Sequence, residues 1–120
     1  METYYQNLTE IAIYCQSNNI NLVLCTPIPA SYSNETSPEY LAHISDLCPV
    51  IHRVCQERGC QMINLYNEVT DFLYYRNDTY ADNYLADGLH PNDKLYELML
   101  YWYIKGLGLG EAYDGKYLRT

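Results

Sequence analysis

Positive charge is scarce in this chain. Seven Lys and Arg face fifteen Asp and Glu, for a formal net charge of −8. The basic residues form no cluster, which argues against nucleic acid and anionic membrane surfaces as partners, since nothing would neutralise phosphates. Long apolar runs are missing too, so no segment is a candidate membrane span. The start, Met1-Glu2-Thr3-Tyr4-Tyr5, has neither the basic nor the apolar region of a signal peptide. The expectation is a soluble chain with no address of its own. The five cysteines, Cys15, Cys25, Cys48, Cys55 and Cys60, are odd in number and include no C-x-x-C pair, which speaks against a zinc site. Cys15, Cys25, Cys48 and Cys55 are expected on buried faces, where Cys behaves as a small hydrophobe. A Cys55–Cys60 bridge across Gly59 is a further option.

Phe and Trp occur once each, whereas Tyr occurs fifteen times. Tyr buries a large ring and keeps a hydroxyl that wants a partner. This bias fits either a core built on Tyr or a surface suited to protein or carbohydrate contact. Apolar residues make up 48% of 120 positions, enough for one small core. Residues 1–120 therefore read as a single domain or part of one. Three N-x-T sequons occur, at Asn7, Asn34 and Asn77.

The pattern alternates helix and strand. Tyr4, Leu8, Ile11 and Cys15 share one face of a helix over 3–17. Asn21-Leu22-Val23-Leu24-Cys25-Thr26 is continuously apolar at its centre, as in a strand of a parallel sheet buried on both faces. Pro27 and Pro29 end it. Ser37-Pro38 signals a helix start. An apolar stripe then runs through Tyr40, Leu41, Ile44, Leu47, Cys48, Ile51, Val54 and Cys55. Pro49 is expected to kink that helix, and Gly59 to end it. Residues 61–65 are a second strand, 66–75 a short helix and 76–90 a polar loop. Residues 91–105 form the last long helix, with Leu95, Leu98, Met99 and Trp102 inward. The tail from Glu111 reads as weakly structured or as a short edge strand. This order predicts an α/β sheet with crossover helices. Two strands leave an edge unpaired, which invites further pairing.

Asp87-Gly88-Leu89-His90-Pro91 carries the chemistry. An acid three residues before a histidine, on a Gly turn entering a helix, can fold its carboxylate back onto the imidazole. The carboxylate then accepts the Nδ1 proton and leaves Nε2 as a base. The competing reading is a helix-start box, in which Asp87 or Asn92 caps backbone N–H groups and His90 only fills the turn. A metal site from Asp82, Asp87, His90 and Asp93 ranks lower, because acids near one His more often cap helices.

Asp87-Gly88-Leu89-His90-Pro91-Asn92 resembles the last sequence block of SGNH/GDSL-type hydrolases, and Thr26-Pro27-Ile28-Pro29 resembles the Thr-Pro segment after their fourth strand. With the spacing of elements between those points, the chain resembles the C-terminal half of such an enzyme. The resemblance implies a flavodoxin-like three-layer α/β/α fold with a short parallel sheet. It also implies that His90 is the general base of a Ser-His-Asp triad and Asp87 its orienting acid, with no cofactor or metal. The substrate it implies is a small ester or an acetylated carbohydrate.

The departures are as informative. No Gly-Asp-Ser nucleophile turn and no Gly-x-Asn-Asp block occur in this sequence, and the first glycine is Gly59. The family's first three strands are thus expected outside these 120 residues. Ser31 and Ser33 follow the first strand on the ligand side of such sheets, but a flexible loop supplies neither a strained turn nor oxyanion donors. Negligible ester hydrolysis by this chain alone is the expectation. The partners expected are an N-terminal half, or a second copy joined through the strand at 22–26. The alternative function is a non-catalytic module that pairs through that exposed edge. An inactive remnant is the third option.

Overall fold

A computed structural model of the chain describes residues 1–31, 44–76 and 80–108. In chain order the elements are α1 (Glu2–Ser17), β1 (Val23–Cys25), α2 (Ile44–Arg58), β2 (Gln61–Ile63), α3 (Leu65–Arg76), α4 (Tyr80–Tyr84) and α5 (Asp93–Gly106). β1 and β2 pair in parallel, Val23 with Gln61, Leu24 with Met62 and Cys25 with Ile63. The fold is therefore α/β with a short parallel sheet flanked by helices. Ser33, the Ser37-Pro38 signal, Tyr40, Leu41 and the tail from Glu111 lie outside the described residues.

Two apolar groups sandwich the strands. On one side α1 packs on α2, and Ala12, Cys15, Ile51, Val54 and Cys55 are buried there. The other group joins Ile63, Leu65, Val69, Tyr84, Leu85, Leu95, Leu98 and Trp102. Alternation along β2 sends Ile63 into this second group. Phe72 meets Tyr84 and Trp102 edge-on, with ring centroids 5.7 and 6.0 Å away. α5 comes so close to β2 that a Cβ on Gly106 would lie 2.7 Å from Ile63 Cγ1. Across the α1–α2 contact, Tyr5 donates its hydroxyl to Glu57 at 2.9 Å, and Arg53 stacks on the Tyr5 ring.

Several local expectations need correction. On α1, Ile11 is 48% exposed and Ala12 is fully buried. The contact line runs through Ala12 and Cys15, small residues that let α2 approach, and Ile11 lies about 100° round the helix from Ala12. Pro49 lies inside α2 and does not end it. Pro49 is exposed there, so the freed carbonyl one turn back, on exposed Ser45, can face water. Cys25 is exposed and Cys48 half-buried, whereas Cys15 and Cys55 are buried; all five thiols are free, with no Cys55–Cys60 bridge. β1 as a whole is not buried on both faces, since Val23 and Leu24 are half-buried.

The stretch 76–90 is not simply a loop. It contains α4, and Tyr84 is fully buried with Leu85 beside it. The rings of Tyr80 and Tyr84 stack, one turn apart, at 6.4 Å between centroids. Polar Asp82 and Asn83 face outward, which makes the stretch look loop-like in composition.

Candidate active site

The sequence from Tyr84 to Asn92 doubles back on itself. Leu85 and Pro91 form an antiparallel bridge. The Ala86 N–H donates to the His90 carbonyl at 2.8 Å, and the Asn92 N–H donates to the Tyr84 carbonyl at 2.9 Å. Four residues, 87–90, close the turn. Gly88 takes a left-handed conformation with φ +80°, which a side chain would disfavour.

Asp87 organises the turn. Its Oδ1 accepts the N–H of His90 at 2.7 Å and of Leu89 at 3.0 Å. Its Oδ2 lies 2.6 Å from His90 Nδ1. The His90 N–H, then the His90 ring, then the Leu89 N–H hold the Asp87 carboxyl down at about 2, against an ordinary 3.8. Charge-assisted bonds to an ionised carboxylate have this effect because they favour the charged form. A carboxylate accepting from Nδ1–H fixes the tautomer with the lone pair on Nε2. Among the described residues Nε2 has no protein partner. The pair faces water, with the His90 side chain 69% and the Asp87 side chain 56% exposed.

Helix capping falls to a different residue. Asn92 is the N-cap of α5, and its Oδ1 accepts the Leu95 N–H at 3.0 Å. Its Nδ2 donates to the Asn83 carbonyl at 2.8 Å. The two competing readings of this stretch thus separate: Asn92 caps the helix, and Asp87 holds the turn and the imidazole. Asp82 and Asp93 do not join them. Among the described residues no three His, Cys, Asp or Glu side chains converge as metal ligands would.

The Thr-Pro segment reaches the same place from the other side. Thr26, 2% exposed, extends the strand pairing by donating its N–H to the Ile63 carbonyl at 3.0 Å. Its Oγ1 accepts the Tyr66 N–H at 2.9 Å and lies 3.3 Å from Asn64 Oδ1. Asn64 Oδ1 in turn accepts the Asn67 N–H. Thr26 and Asn64 together cap α3, which explains a buried hydroxyl at the end of β1. Beyond the prolines, the Ser31 N–H donates to the Gly88 carbonyl at 2.8 Å. Ser31 is buried at 8% exposure, and the bonds made by His90 go to Asp87 and Ala86. The tie places the Asp87–His90 turn beside the C-terminal end of β1, where ligands bind in sheets of this kind.

Sequence reasoning missed three supports of the turn: Tyr80, the fully buried Tyr84, and the backbone tie from Ser31 to Gly88. The i, i+4 spacing of Tyr80 and Tyr84 was a signal, though one turn of helix is too short to show a period. The backbone tie leaves no mark in sequence. A separate cleft of about 290 Å³ opens among Gln16, Ile20, Leu22, Val23, Cys60 and Gln61. It sits at the N-terminal ends of the strands, away from Asp87 and His90. No helix among the described residues is long and apolar enough to cross a membrane.

No family model matches this chain, and no curated protein matches it in sequence. Solved structures do match in shape. A crystal structure described as that of a putative GDSL-like lipase from Parabacteroides merdae superposes with a TM-score of 0.73 at 18% identity, over 90% of this chain and 50% of that one. An α/β hydrolase enzyme from the metagenome of Lake Arreo, Spain, superposes with a TM-score of 0.68 at 18% identity, over 91% of this chain and 48% of that one. The chain thus spans about half the length of each of these hydrolases, and shares their fold over that half.

Proposed function

We propose that this chain carries the acid–base half of a hydrolase site of the SGNH/GDSL type and works with a polypeptide stretch that supplies the nucleophile. The observation that carries the reading is the 2.6 Å contact between His90 Nδ1 and Asp87 Oδ2. Its support is the place of that contact, beside the C-terminal end of a parallel strand, in a fold shared with hydrolases. In this reading a serine from outside the chain attacks the carbonyl carbon of a carboxylic ester or an acetylated sugar. Its hydroxyl proton passes to His90 Nε2 as the Oγ–C bond forms. The tetrahedral intermediate collapses, the C–O bond to the alcohol breaks, and Nε2 returns the proton to the departing alkoxide. A water, activated by the same nitrogen, then releases the acid and restores the serine. Asp87 holds the ring in the required tautomer and stabilises the imidazolium formed on the way. Donors for the oxyanion come with the nucleophile, from the same outside stretch.

The open state of the pair agrees with this division of labour. Acyl-transfer sites exclude water when complete, and here His90 is mostly exposed. Alone, the chain lacks the group whose loss costs on the order of 10⁶ in turnover in a well-studied serine hydrolase. The experiment is co-expression with the N-terminal half of a GDSL-type hydrolase, scored on p-nitrophenyl acetate for halves that co-purify. A gain of hydrolysis that His90→Ala abolishes supports the reading. No gain in a co-purified complex, or a gain that survives His90→Ala, refutes it.

A second reading rests on β1. Val23 and Leu24 are only half-buried and Cys25 is exposed, although the segment is apolar. Such a strand can take another strand at its edge and act as a non-catalytic assembly module, joining a second copy or the N-terminal half. Sedimentation velocity separates the cases: self-pairing gives a dimer, and a well-folded monomer at high concentration excludes it.

A further inference from the structure

The Asp87–His90 pair has little packing of its own, since both side chains are mostly exposed. Something else must fix where Nε2 points. The segment Pro29-Ala30-Ser31 is buried and touches the turn at one end, through the Ser31 N–H on the Gly88 carbonyl at 2.8 Å. At its other end the Tyr80 hydroxyl donates to the Pro29 carbonyl, across 51 residues of sequence. Tyr80 is itself stacked on Tyr84. Tyr84 is fully buried, and its carbonyl receives the Asn92 N–H that closes the base of the turn. The base and the tip of the turn are therefore tied to the same tyrosine pair by separate routes.

We propose that Tyr80 is a positioning residue for His90: its hydroxyl braces Pro29–Ser31 against Gly88 and so sets the orientation of the Asp87–His90 turn relative to the end of β1. The inference rests on the reading of His90 as a base, and it adds a residue that touches neither the imidazole nor the carboxylate. A near-attack geometry tolerates little error, and a displacement of the order of 1 Å costs about 100-fold in rate. A hydrogen bond at the far end of a brace can therefore matter to turnover without contacting substrate.

The test is Tyr80→Phe in the full chain, which keeps the stacked ring and removes the hydroxyl. Amide hydrogen exchange reads the Ser31 N–H, and ¹⁵N spectra of the imidazole read the His90 ring. The Ser31 amide is expected to exchange about 10-fold faster, the size of one lost hydrogen bond, and the His90 Nδ1 proton to broaden. The Thr26 amide, bonded to the Ile63 carbonyl, is expected to keep its protection. Unchanged Ser31 exchange overturns the proposal, and so does equal loss at Thr26, which would report general loosening. In the complemented enzyme, Tyr80→Phe is expected to lower kcat and leave KM unchanged; an unchanged kcat also overturns it. A complemented wild type without activity sinks the hydrolase reading instead, and the exchange and ring spectra still decide whether Tyr80 positions the turn.

Discussion

Protonating Asp87 is the most direct way to probe the turn. Three hydrogen bonds converge on this carboxylate, and its carboxyl is held at about 2 rather than 3.8. That difference is roughly 60-fold in the proton dissociation constant. The folded-state value is the depressed one. The bonds therefore favour the fold fully above pH 3.8, and that contribution disappears as pH falls from there through about 2. Because the group is exposed to solvent, the visible consequence is local, an opening of the turn rather than unfolding. Removing the imidazole with His90→Ala deletes one of the three bonds. The His90 backbone N–H, the largest contributor, and the Leu89 N–H both remain. The midpoint should therefore rise only part of the way towards 3.8. A ¹³C titration of the Asp87 carboxyl between pH 1 and 6 measures both values on the order required. A wild-type midpoint near 3.8 would refute the geometry of the turn. A complete return to 3.8 in His90→Ala would show that the backbone bonds contribute nothing, against the distances of 2.7 and 3.0 Å.

Gly106→Ala should destabilise the chain. Alanine gains up to about 1 kcal/mol in helix propensity, but its Cβ would sit 2.7 and 2.9 Å from Ile63 side-chain atoms that are buried. Overpacking of this kind costs about 1–3 kcal/mol. Gln61 also donates its side-chain amide to the Gly106 carbonyl, so the backbone cannot easily retreat, and the clash wins; urea unfolding should show a lower midpoint. Thr26→Val keeps the shape of the residue and removes the acceptor for the Tyr66 N–H. A loss of about 1–2 kcal/mol is expected, together with faster amide exchange in the first turn of α3; a midpoint equal to the wild type would contradict the capping role.

Much of this architecture is legible in sequence. The i, i+3, i+7 spacing of Leu95, Leu98 and Trp102 places them inside, and they are buried. The expected strand runs at 21–26 and 61–65 contain the strands Val23–Cys25 and Gln61–Ile63, and the second is cut short because α3 begins at Leu65. Asp87 and His90 are legible as a pair because a turn of this length brings residues three apart into contact. What sequence does not show are relationships without a period. Ala12 rather than Ile11 lies in the helix contact because close approach favours the smaller residue. Cys25 is exposed although it sits in an apolar run. Tyr80 supports the turn through a carbonyl 51 residues away, and composition carries no trace of that bond. Asn92, not Asp87, caps α5, a choice that depends on where the turn ends.

The most direct measurement of the central claim follows the serine that His90 is proposed to activate. A co-purified complex of this chain with the N-terminal half of a GDSL-type hydrolase is treated with a fluorophosphonate, and labelling of the nucleophilic serine is timed by mass spectrometry. The account predicts labelling with the wild-type chain and a rate at least about 100-fold lower with His90→Ala, the contribution of a general base. Equal labelling rates with and without the imidazole would contradict it.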